Sequence, residues 1–170
     1  MAIALRRYEA GSLPVDHAQL LVDIHADAYR DQRDDPFVQR FPWFAKHWTS
    51  RSGYSCAMAF DDDEPVGYSY GAPLEDGREW WRPHMSSPAD PSTFAVSEVM
   101  VRPDWRKLGV AEQTHEALLA DRIEALAVLY VDVTHDRVQA MYERWSYRKV
   151  GEHRPFEDAP LYAVMVRTLR

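Results

Sequence analysis

The sequence is poor in cysteine, in net positive charge and in long apolar runs, and each shortage excludes a class of protein. Its single cysteine, Cys56, cannot form an intramolecular disulfide and belongs to no zinc-finger or Cys-x-x-Cys pattern, so we expect a reducing compartment and no metal site. The 20 Lys and Arg residues are outnumbered by 27 Asp and Glu residues, and the net charge of -7 opposes binding to nucleic acids or anionic lipids. No stretch approaches the ~20 apolar residues of a membrane span, so we expect a cytoplasmic protein with no membrane partner.

What the chain does contain is enough apolar sequence for a folded core. Hydrophobic residues make up 46% of the 170 residues, which suits one globular domain spanning residues 1–170. Alternating and helical patterns predict a mixed α/β fold. Strands are expected at 2–8, 54–60, 65–72, 94–101, 128–133, 148–152 and 161–169, and helices at 20–29, 36–48, 111–127 and 137–145. The segment 73–92 has no regular pattern, and such a loop usually covers a site or is mobile.

The most informative motif lies where a predicted strand leads into a helix. The residues are Arg106-Lys107-Leu108-Gly109-Val110-Ala111. Gly109 and the small Ala111 allow a ligand to approach the backbone at the helix start, where unpaired N–H groups and the helix dipole attract an anion. Arg106 and Lys107 add two cations. The segment predicts a phosphate-binding loop, and a plain helix start with a solubilising basic pair is the alternative.

This segment resembles the signature of the GNAT superfamily of acyl-CoA-dependent N-acyltransferases: Arg or Gln, two residues, Gly, one residue, then Gly or Ala. The resemblance implies a mixed, mostly antiparallel central sheet with a splayed central strand pair and with helices on both faces. It also implies that acetyl-CoA is the co-substrate. The implied cofactor contacts are the backbone of Val99, Met100 and Val101 for the pantetheine arm, and Arg106 with the amides of Lys107, Leu108, Gly109, Val110, Ala111 and Glu112 for the pyrophosphate.

A second stretch, from His135 to Trp145, resembles the family's other CoA-contacting motif. Ala140 and Tyr142 match that motif in place, while His135 stands where the family usually has Asn. The resemblance implies that His135 and Tyr142 contact the cofactor. Acylation of an amine by a thioester requires a proton for the departing thiolate, and a phenol can supply it, so Tyr142 is the candidate general acid. A core tyrosine on an amphipathic helix is the alternative.

Glu98, on the otherwise apolar strand 94–101, is the candidate general base. Strand alternation groups Glu98 with Met100 and puts Ala95 and Ser97 on the opposite face. The resemblance assigns the face of Ala95 and Ser97 to the acceptor, so Glu98 acts as the base only if a bulge reverses the parity. Otherwise its role is structural. Further candidates for the base are His84 and Glu79, in the irregular loop.

The resemblance places the amine acceptor among the first two helices, the loop 73–92 and the last strands. From these segments we expect Tyr29, Trp80, Trp81 and His84 to contact the acceptor. Aromatic and acidic residues there favour a cationic amine. The predicted function is an N-acetyltransferase, a monomer or homodimer, that transfers the acetyl group of acetyl-CoA to a primary amine of a small molecule or peptide by direct attack.

Two alternatives of other classes stay open. A catalytically weak or inactive acyl-CoA-binding regulatory domain is favoured by Glu112, by His135 and by the lack of an evident base. A protein-interaction module could use the six Trp residues as anchors.

Overall fold

The structure, a computed structural model, describes residues 2–170 and has a mixed α/β fold. The strands are β1 (Ile3–Glu9), β2 (Ser55–Asp61), β3 (Glu64–Pro73), β4 (Thr93–Val101), β5 (Leu126–Asp132), β6 (Arg148–His153) and β7 (Tyr162–Thr168). The helices are α1 (His17–Ala28), α2 (Pro36–Gln39), α3 (Phe41–Thr49), α4 (Val110–Leu119) and α5 (Asp136–Arg144). Within the described chain, no helix has the length and apolar character that crossing a membrane requires.

The seven strands form one sheet in the order β1-β2-β3-β4-β5-β7-β6. Strands β1, β2 and β3 pair antiparallel, as do β5, β7 and β6, whereas β4 and β5 are parallel. The parallel pairing covers Thr93–Ala95 against Leu126–Val128, although both strands continue well beyond it. This short contact between long strands is the splayed pair that the family resemblance implied.

The chain divides into two compact units, and the division falls within β4. The N-terminal unit contains the chain up to Ala72 together with Ser97–Asp121, and the C-terminal unit contains Pro73–Val96 and Arg122–Arg170.

Helices cover both faces of β3 in the N-terminal unit. On one face, Ser69 lies 2.8 Å from the Thr114 hydroxyl of α4. The next residue, Tyr70, points to the other face and contacts Trp48 of α3, with ring centroids 6.3 Å apart. Successive residues of one strand therefore contact different helical layers.

One predicted helix, 36–48, is two helices in the structure. Arg40, which stays in the right-handed helical region with a ψ of -2°, ends α2 and precedes α3. Pro42 follows at the start of α3, and because proline has no N–H it cannot continue the hydrogen-bond ladder from α2. The prediction of a single helix was wrong at this point.

The predicted helix 111–127 ends early, at Leu119. Ala120 has an extended ψ of 136°, and Asp121 takes a positive φ of 64°, so the chain turns out of the helix. The following strand accordingly begins at Leu126 rather than at residue 128. The prediction from apolar spacing made the helix too long, because the apolar residues after 120 belong to the turn before β5 and to β5 itself.

Candidate active site

The loop between β4 and α4 reverses the chain by means of two residues in left-handed conformations. After a single 3-10 turn at Pro103–Trp105, Lys107 has a φ of 64° and Gly109 a φ of 81°. A glycine takes this conformation without steric cost, which explains its place immediately before α4. We refer to residues 102–109 as the phosphate loop.

The start of α4 presents backbone N–H groups that the protein leaves uncapped. Gly109 makes no side-chain cap, and the first helical hydrogen bond runs from the Gln113 N–H to the Gly109 carbonyl oxygen at 3.0 Å. Throughout residues 2–170, no hydrogen bond is donated by the N–H groups of Val110, Ala111 or Glu112. These groups and the positive end of the helix dipole suit a diphosphate. The side chain of Glu112 is exposed to solvent.

An indole N–H fixes the phosphate loop to the hairpin of β2 and β3. The Trp105 Nε1 donates a hydrogen bond to the Asp61 carboxylate at 2.9 Å. Beneath it, Val66, Val101 and Val110 belong to one buried cluster, against which Trp105 packs. Nothing in the sequence indicated this role for Asp61, because an acidic turn is usually solvated.

Strand β4 carries a bulge beside Glu98. The Arg102 N–H donates to the Val66 carbonyl oxygen at 2.8 Å, and extending this antiparallel register would pair Leu74 with Phe94. Instead, the Leu74 N–H bonds to the Thr93 carbonyl oxygen at 2.9 Å, so β4 carries one extra residue between these points.

Ser97 and Glu98 both influence the pKa of Tyr70, so both side chains lie near its phenol. This agrees with a bulge at Ser97 and Glu98. Burial raises the pKa of Tyr70 well above its usual value, the Glu98 carboxylate raises it further, and the Ser97 hydroxyl lowers it. Glu98 therefore lies on the face of β3 that carries Tyr68 and Tyr70. That face is covered by α3, and the extra residue in β4 brings Ser97 to the same face as Glu98, whereas a regular strand would have placed the two on opposite faces.

The surroundings of Glu98 favour the neutral form of its carboxyl group. Burial raises the pKa of Glu98 to about 8. Nearby, the hydroxyl of the fully buried Tyr68 has no hydrogen-bond partner among the described residues. A buried phenol without a partner beside a carboxyl group is a polar site to which a substrate or a water molecule can hydrogen-bond. A carboxyl group with a pKa near neutrality can accept a proton from a substrate.

The register also separates the three residues of β4 that were predicted to contact the pantetheine arm. Since Arg102 bonds to Val66 of β3, alternation directs the N–H and C=O groups of Met100 to β3 as well. The corresponding groups of Val99 and Val101 point away from β3. Only these two residues thus offer backbone groups on the free side of the strand.

A cleft of about 530 Å³ adjoins α1 in the N-terminal unit, and we call it the α1 cleft. Its lining includes Val22, His25, Tyr29, Val38, Phe41 and Arg102. The His25 ring is sandwiched between Phe41, at a centroid distance of 3.8 Å, and Tyr29, at 4.6 Å. Tyr29, predicted from the sequence to contact the acceptor, lies in the wall of this cleft.

His25 makes the stability of the fold sensitive to acid. Its ring is only 7% exposed, and burial lowers its pKa from 6.5 to about 4. The unfolded chain binds this proton more readily, so the stabilisation is complete above pH 6.5 and is lost as the pH falls to about 4. Between pH 7 and pH 4, we expect the wild-type free energy of unfolding to fall by on the order of 3 kcal/mol more than that of His25→Gln.

Urea unfolding at a series of pH values measures this difference. His47→Gln, which alters an exposed histidine, should keep the full wild-type pH dependence. An equally steep loss in His25→Gln would show that His25 does not carry the effect.

In the C-terminal unit, Tyr142 lies on α5 and is 7% exposed. Its ring packs edge-on against Trp145, at 5.3 Å, and against Tyr147, at 5.6 Å. These contacts hold the phenol in one orientation. His135 caps the start of the same helix through its backbone, and its side chain is exposed and makes no cap.

The irregular segment 73–92 is anchored within the C-terminal unit by two of its predicted site residues. Trp81 is fully buried, and its Nε1 donates to the Thr93 hydroxyl at 2.8 Å, so this ring belongs to the core and leaves no face for an acceptor. His84 lies against β6, where a Cβ at Gly151 would come within 2.3 Å of the His84 Nδ1. Glu79 is paired with the Arg82 guanidinium at 2.8 Å, and that hydrogen bond lowers the pKa of Glu79, which makes it a weak base.

Trp80 stands apart from these anchored residues, on a partly exposed aromatic platform. Its ring stacks on Tyr130 of β5 at 4.2 Å, and Tyr130 stacks on Tyr162 of β7 at 5.5 Å. Sequence reasoning found Trp80 and missed both tyrosines. Tyr130 and Tyr162 come together because Tyr130 pairs with Val164, two residues beyond Tyr162 on the same face.

A parallel strand pair that ends early and an uncapped helix start after a glycine loop are together the features of an acyl-CoA-dependent acyltransferase. The sequence profile of the acetyltransferase (GNAT) family matches residues 18–147. The chain belongs to this family, whose enzymes take the acetyl group from acetyl-CoA. The predictions of the family, the fold, an acetyltransferase and this co-substrate are therefore confirmed.

Solved structures show the same fold at low sequence identity. NAA60 of Arabidopsis thaliana, in complex with acetyl-CoA, is 13% identical over 99% of both chains, with a TM-score of 0.74. The ribosomal-protein-S18-alanine N-acetyltransferase of Escherichia coli is 16% identical over 98% of this chain and 94% of its own, with a TM-score of 0.67. The PaiA N-acetyltransferase of Thermoplasma acidophilum, in complex with coenzyme A, is 10% identical over 99% of both chains, with a TM-score of 0.64. No functionally curated protein sequence matches the chain.

Proposed function

We propose that this acetyltransferase transfers the acetyl group of acetyl-CoA directly to a primary amine of a small molecule or a peptide, with Glu98 as the general base. The observation that carries the proposal is the position of Glu98: a carboxyl group with a pKa of about 8 that lies on the α3 face of the sheet, beside the β4 bulge. It lies on the strand that leads directly into the phosphate loop. Base and cofactor loop are thus parts of one continuous segment.

The cofactor would be held mainly by backbone groups. The free N–H and C=O groups of Val99 and the N–H group of Val101 suit the amides of the pantetheine arm. The amides of the segment 107–112 suit the diphosphate, and Lys107 adds an exposed positive charge. His135 and Tyr142 are proposed as cofactor contacts from the second matched motif.

The chemistry needs three proton transfers and no covalent intermediate with the enzyme. The ionised Glu98 carboxylate removes a proton from the acceptor's ammonium group, directly or through a water molecule, so that a neutral amine attacks the thioester carbonyl carbon. The oxygen of that carbonyl becomes negative and is stabilised by a backbone N–H of β4, for which Val101 is the candidate. The C–S bond then breaks, Tyr142 protonates the departing thiolate, and the nitrogen of the new amide gives its extra proton to the Tyr142 phenolate, directly or through water.

Tyr142→Phe tests the role of the acid. We expect kcat to fall by about 10- to 100-fold, because the thiolate must leave without a positioned proton donor. The KM for acetyl-CoA should change little, since the aromatic ring and its packing remain. Thiol release, followed with a chromogenic disulfide, measures both constants.

The matched control for this substitution is Tyr8→Phe, which removes a phenol hydroxyl from β1. It should react at the wild-type rate. If Tyr142→Phe also keeps the wild-type kcat, the acid is another group and Tyr142 is a packing residue.

Tyr29, Trp80 and His84 stay predictions as contacts of the acceptor, and of these Tyr29 lies in the wall of the α1 cleft. Aromatic faces attract ammonium groups, which favours amines that are cationic in solution. A cytoplasmic location and a monomeric or homodimeric state stay predictions from the sequence.

The function is tested by incubating the protein with acetyl-CoA and a panel of amines. The panel includes small polyamines, amino acids and peptides with free N-termini. Thiol release that depends on a cationic amine supports the proposal. Binding of acetyl-CoA without thiol release from any amine would instead favour the regulatory-domain alternative. Turnover with only uncharged or anionic acceptors would contradict the proposed amine preference.

A further inference from the structure

Arg106 belongs to the basic pair of the phosphate loop, yet its guanidinium group is bonded to the protein's own backbone. One terminal nitrogen donates to the Ala28 carbonyl oxygen at 3.1 Å, and its Nε donates to the Val101 carbonyl oxygen at 3.4 Å. Ala28 is the last residue of α1, and Val101 is the last residue of β4. A single planar group therefore joins the ends of two elements.

The end of α1 is a favourable place for this positive charge. The last carbonyl groups of a helix have no partners within the helix, and they form the negative end of its dipole. A guanidinium group can bond to two acceptors at once, here one carbonyl at a helix end and one at a strand end, because its donors form a rigid fork. An ammonium group on a flexible stem offers no such fork.

A second arginine makes the same connection from the other end of the loop. The Arg102 Nε donates to the Pro65 carbonyl oxygen at 2.8 Å. One of its terminal nitrogens lies 3.3 Å from the Asp27 carboxylate, next to Ala28 at the end of α1. The phosphate loop is thus bound to α1 at both Arg102 and Arg106.

We infer that Arg106 is a positioning residue, which fastens the phosphate loop to the end of α1 and thereby sets the direction of its amides, and that it is not a charge in contact with the diphosphate. The inference rests on the proposed function, since it concerns the binding of acetyl-CoA. The side chain of the neighbouring Lys107 makes no such bridge within the described chain, and it remains the cation available to the ligand.

Charge and geometry can be separated by substitutions that keep one and remove the other. Arg106→Lys keeps the positive charge but not the fork, whereas Arg106→Gln keeps one neutral donor and removes the charge. Lys107→Gln removes an adjacent charge that makes no such bridge. Coenzyme A affinity is measured by calorimetry on the full chain at about 50 mM and about 300 mM salt, because screening weakens a contact between charges.

Positioning by Arg106 predicts that Arg106→Lys binds coenzyme A about tenfold more weakly than the wild type, although the net charge is unchanged. The factor by which salt weakens binding should stay at its wild-type value in both Arg106 variants and should decrease in Lys107→Gln. Thermal unfolding of each variant without ligand checks that the fold is retained.

Two results would overturn the inference alone: wild-type affinity in Arg106→Lys, or a smaller salt effect in Arg106→Gln. Either result would mean that coenzyme A binding depends on the charge of Arg106 and not on its bridge to Ala28 and Val101. If the wild-type chain itself failed to bind coenzyme A, the proposed function would be refuted, and this inference with it.

Discussion

Replacing Glu98 by Gln is expected to lower kcat/KM for amine acetylation by about 100- to 1,000-fold, because the acceptor loses the group that takes its proton. The amide has nearly the same shape as the carboxyl group, so the β4 bulge should persist. The side chain at position 98 should also keep its place beside Tyr68 and Tyr70. Affinity for acetyl-CoA should therefore change little. Steady-state kinetics and calorimetry on the same preparation measure the two quantities separately.

The pH dependence of the wild type gives a second view of the same residue. Since the pKa of Glu98 is raised to about 8, the carboxyl group is mostly protonated at pH 7 and becomes a base as the pH rises through 8. The rate constant kcat/KM should rise over this range. In Glu98→Gln, only the part of the rise that comes from deprotonation of the free amine should remain.

Glu64→Gln is the matched control, because it changes an exposed carboxylate on the adjacent strand β3. It should keep both the wild-type rate and the wild-type pH profile. A Glu98→Gln variant with near-wild-type kcat/KM would remove Glu98 from the mechanism and would move the search for the base to the C-terminal unit.

Gly109→Ala is expected to weaken acetyl-CoA binding by at least about tenfold. The added methyl group meets no close neighbour, since the nearest atom would be the Gln113 Nε2 at 3.6 Å. The cost comes instead from the φ of 81°, at which a residue with a Cβ is strained by about 1–2 kcal/mol. Relief of this strain would rotate the first amides of α4 away from the diphosphate.

A second glycine separates strain from binding. Gly11 has a φ of 89° and lies in the turn after β1, where an added Cβ would have no neighbour within 4 Å. Gly11→Ala should lower thermal stability about as much as Gly109→Ala and should leave acetyl-CoA affinity unchanged. Equal affinity in both variants would show that the conformation at Gly109 is not needed for binding.

The phosphate loop could be predicted because its features are local in sequence. The turn at Gly109, the small Ala111 and the helix start are contiguous, and the matched motif depends on nothing outside them. The general conformation of such a loop follows from short-range backbone preferences. The same is true of Tyr142, whose place is fixed by a motif within one helix.

The placement of Ser97 and Glu98 on one face of β4 could not be predicted from the sequence. Alternation assigned them to opposite faces, and only the hydrogen bonds of Arg102 and Leu74 with their partners reveal the extra residue in β4. A bulge depends on the register of two strands, and nothing in the order of residues 93–101 marks it.

The partners of the loop arginines were also beyond sequence reasoning. Arg106 was interpreted as a phosphate-binding cation because basic residues beside a glycine loop usually are. Its actual partners, Ala28 and Val101, include one that is 78 residues away in the chain. The same holds for the contact between Trp105 and Asp61, which exists only once the β2–β3 hairpin and the loop have met.

Binding of the acetyl-CoA diphosphate by the bare amides at the start of α4 can be followed in the amide resonances of the protein. Proton–nitrogen spectra of the full chain are compared with and without saturating coenzyme A. The largest shifts are expected on the amides of residues 107–112, with Val110 and Ala111 among them. Unchanged resonances in this segment, while others respond to the ligand, would contradict this mode of binding.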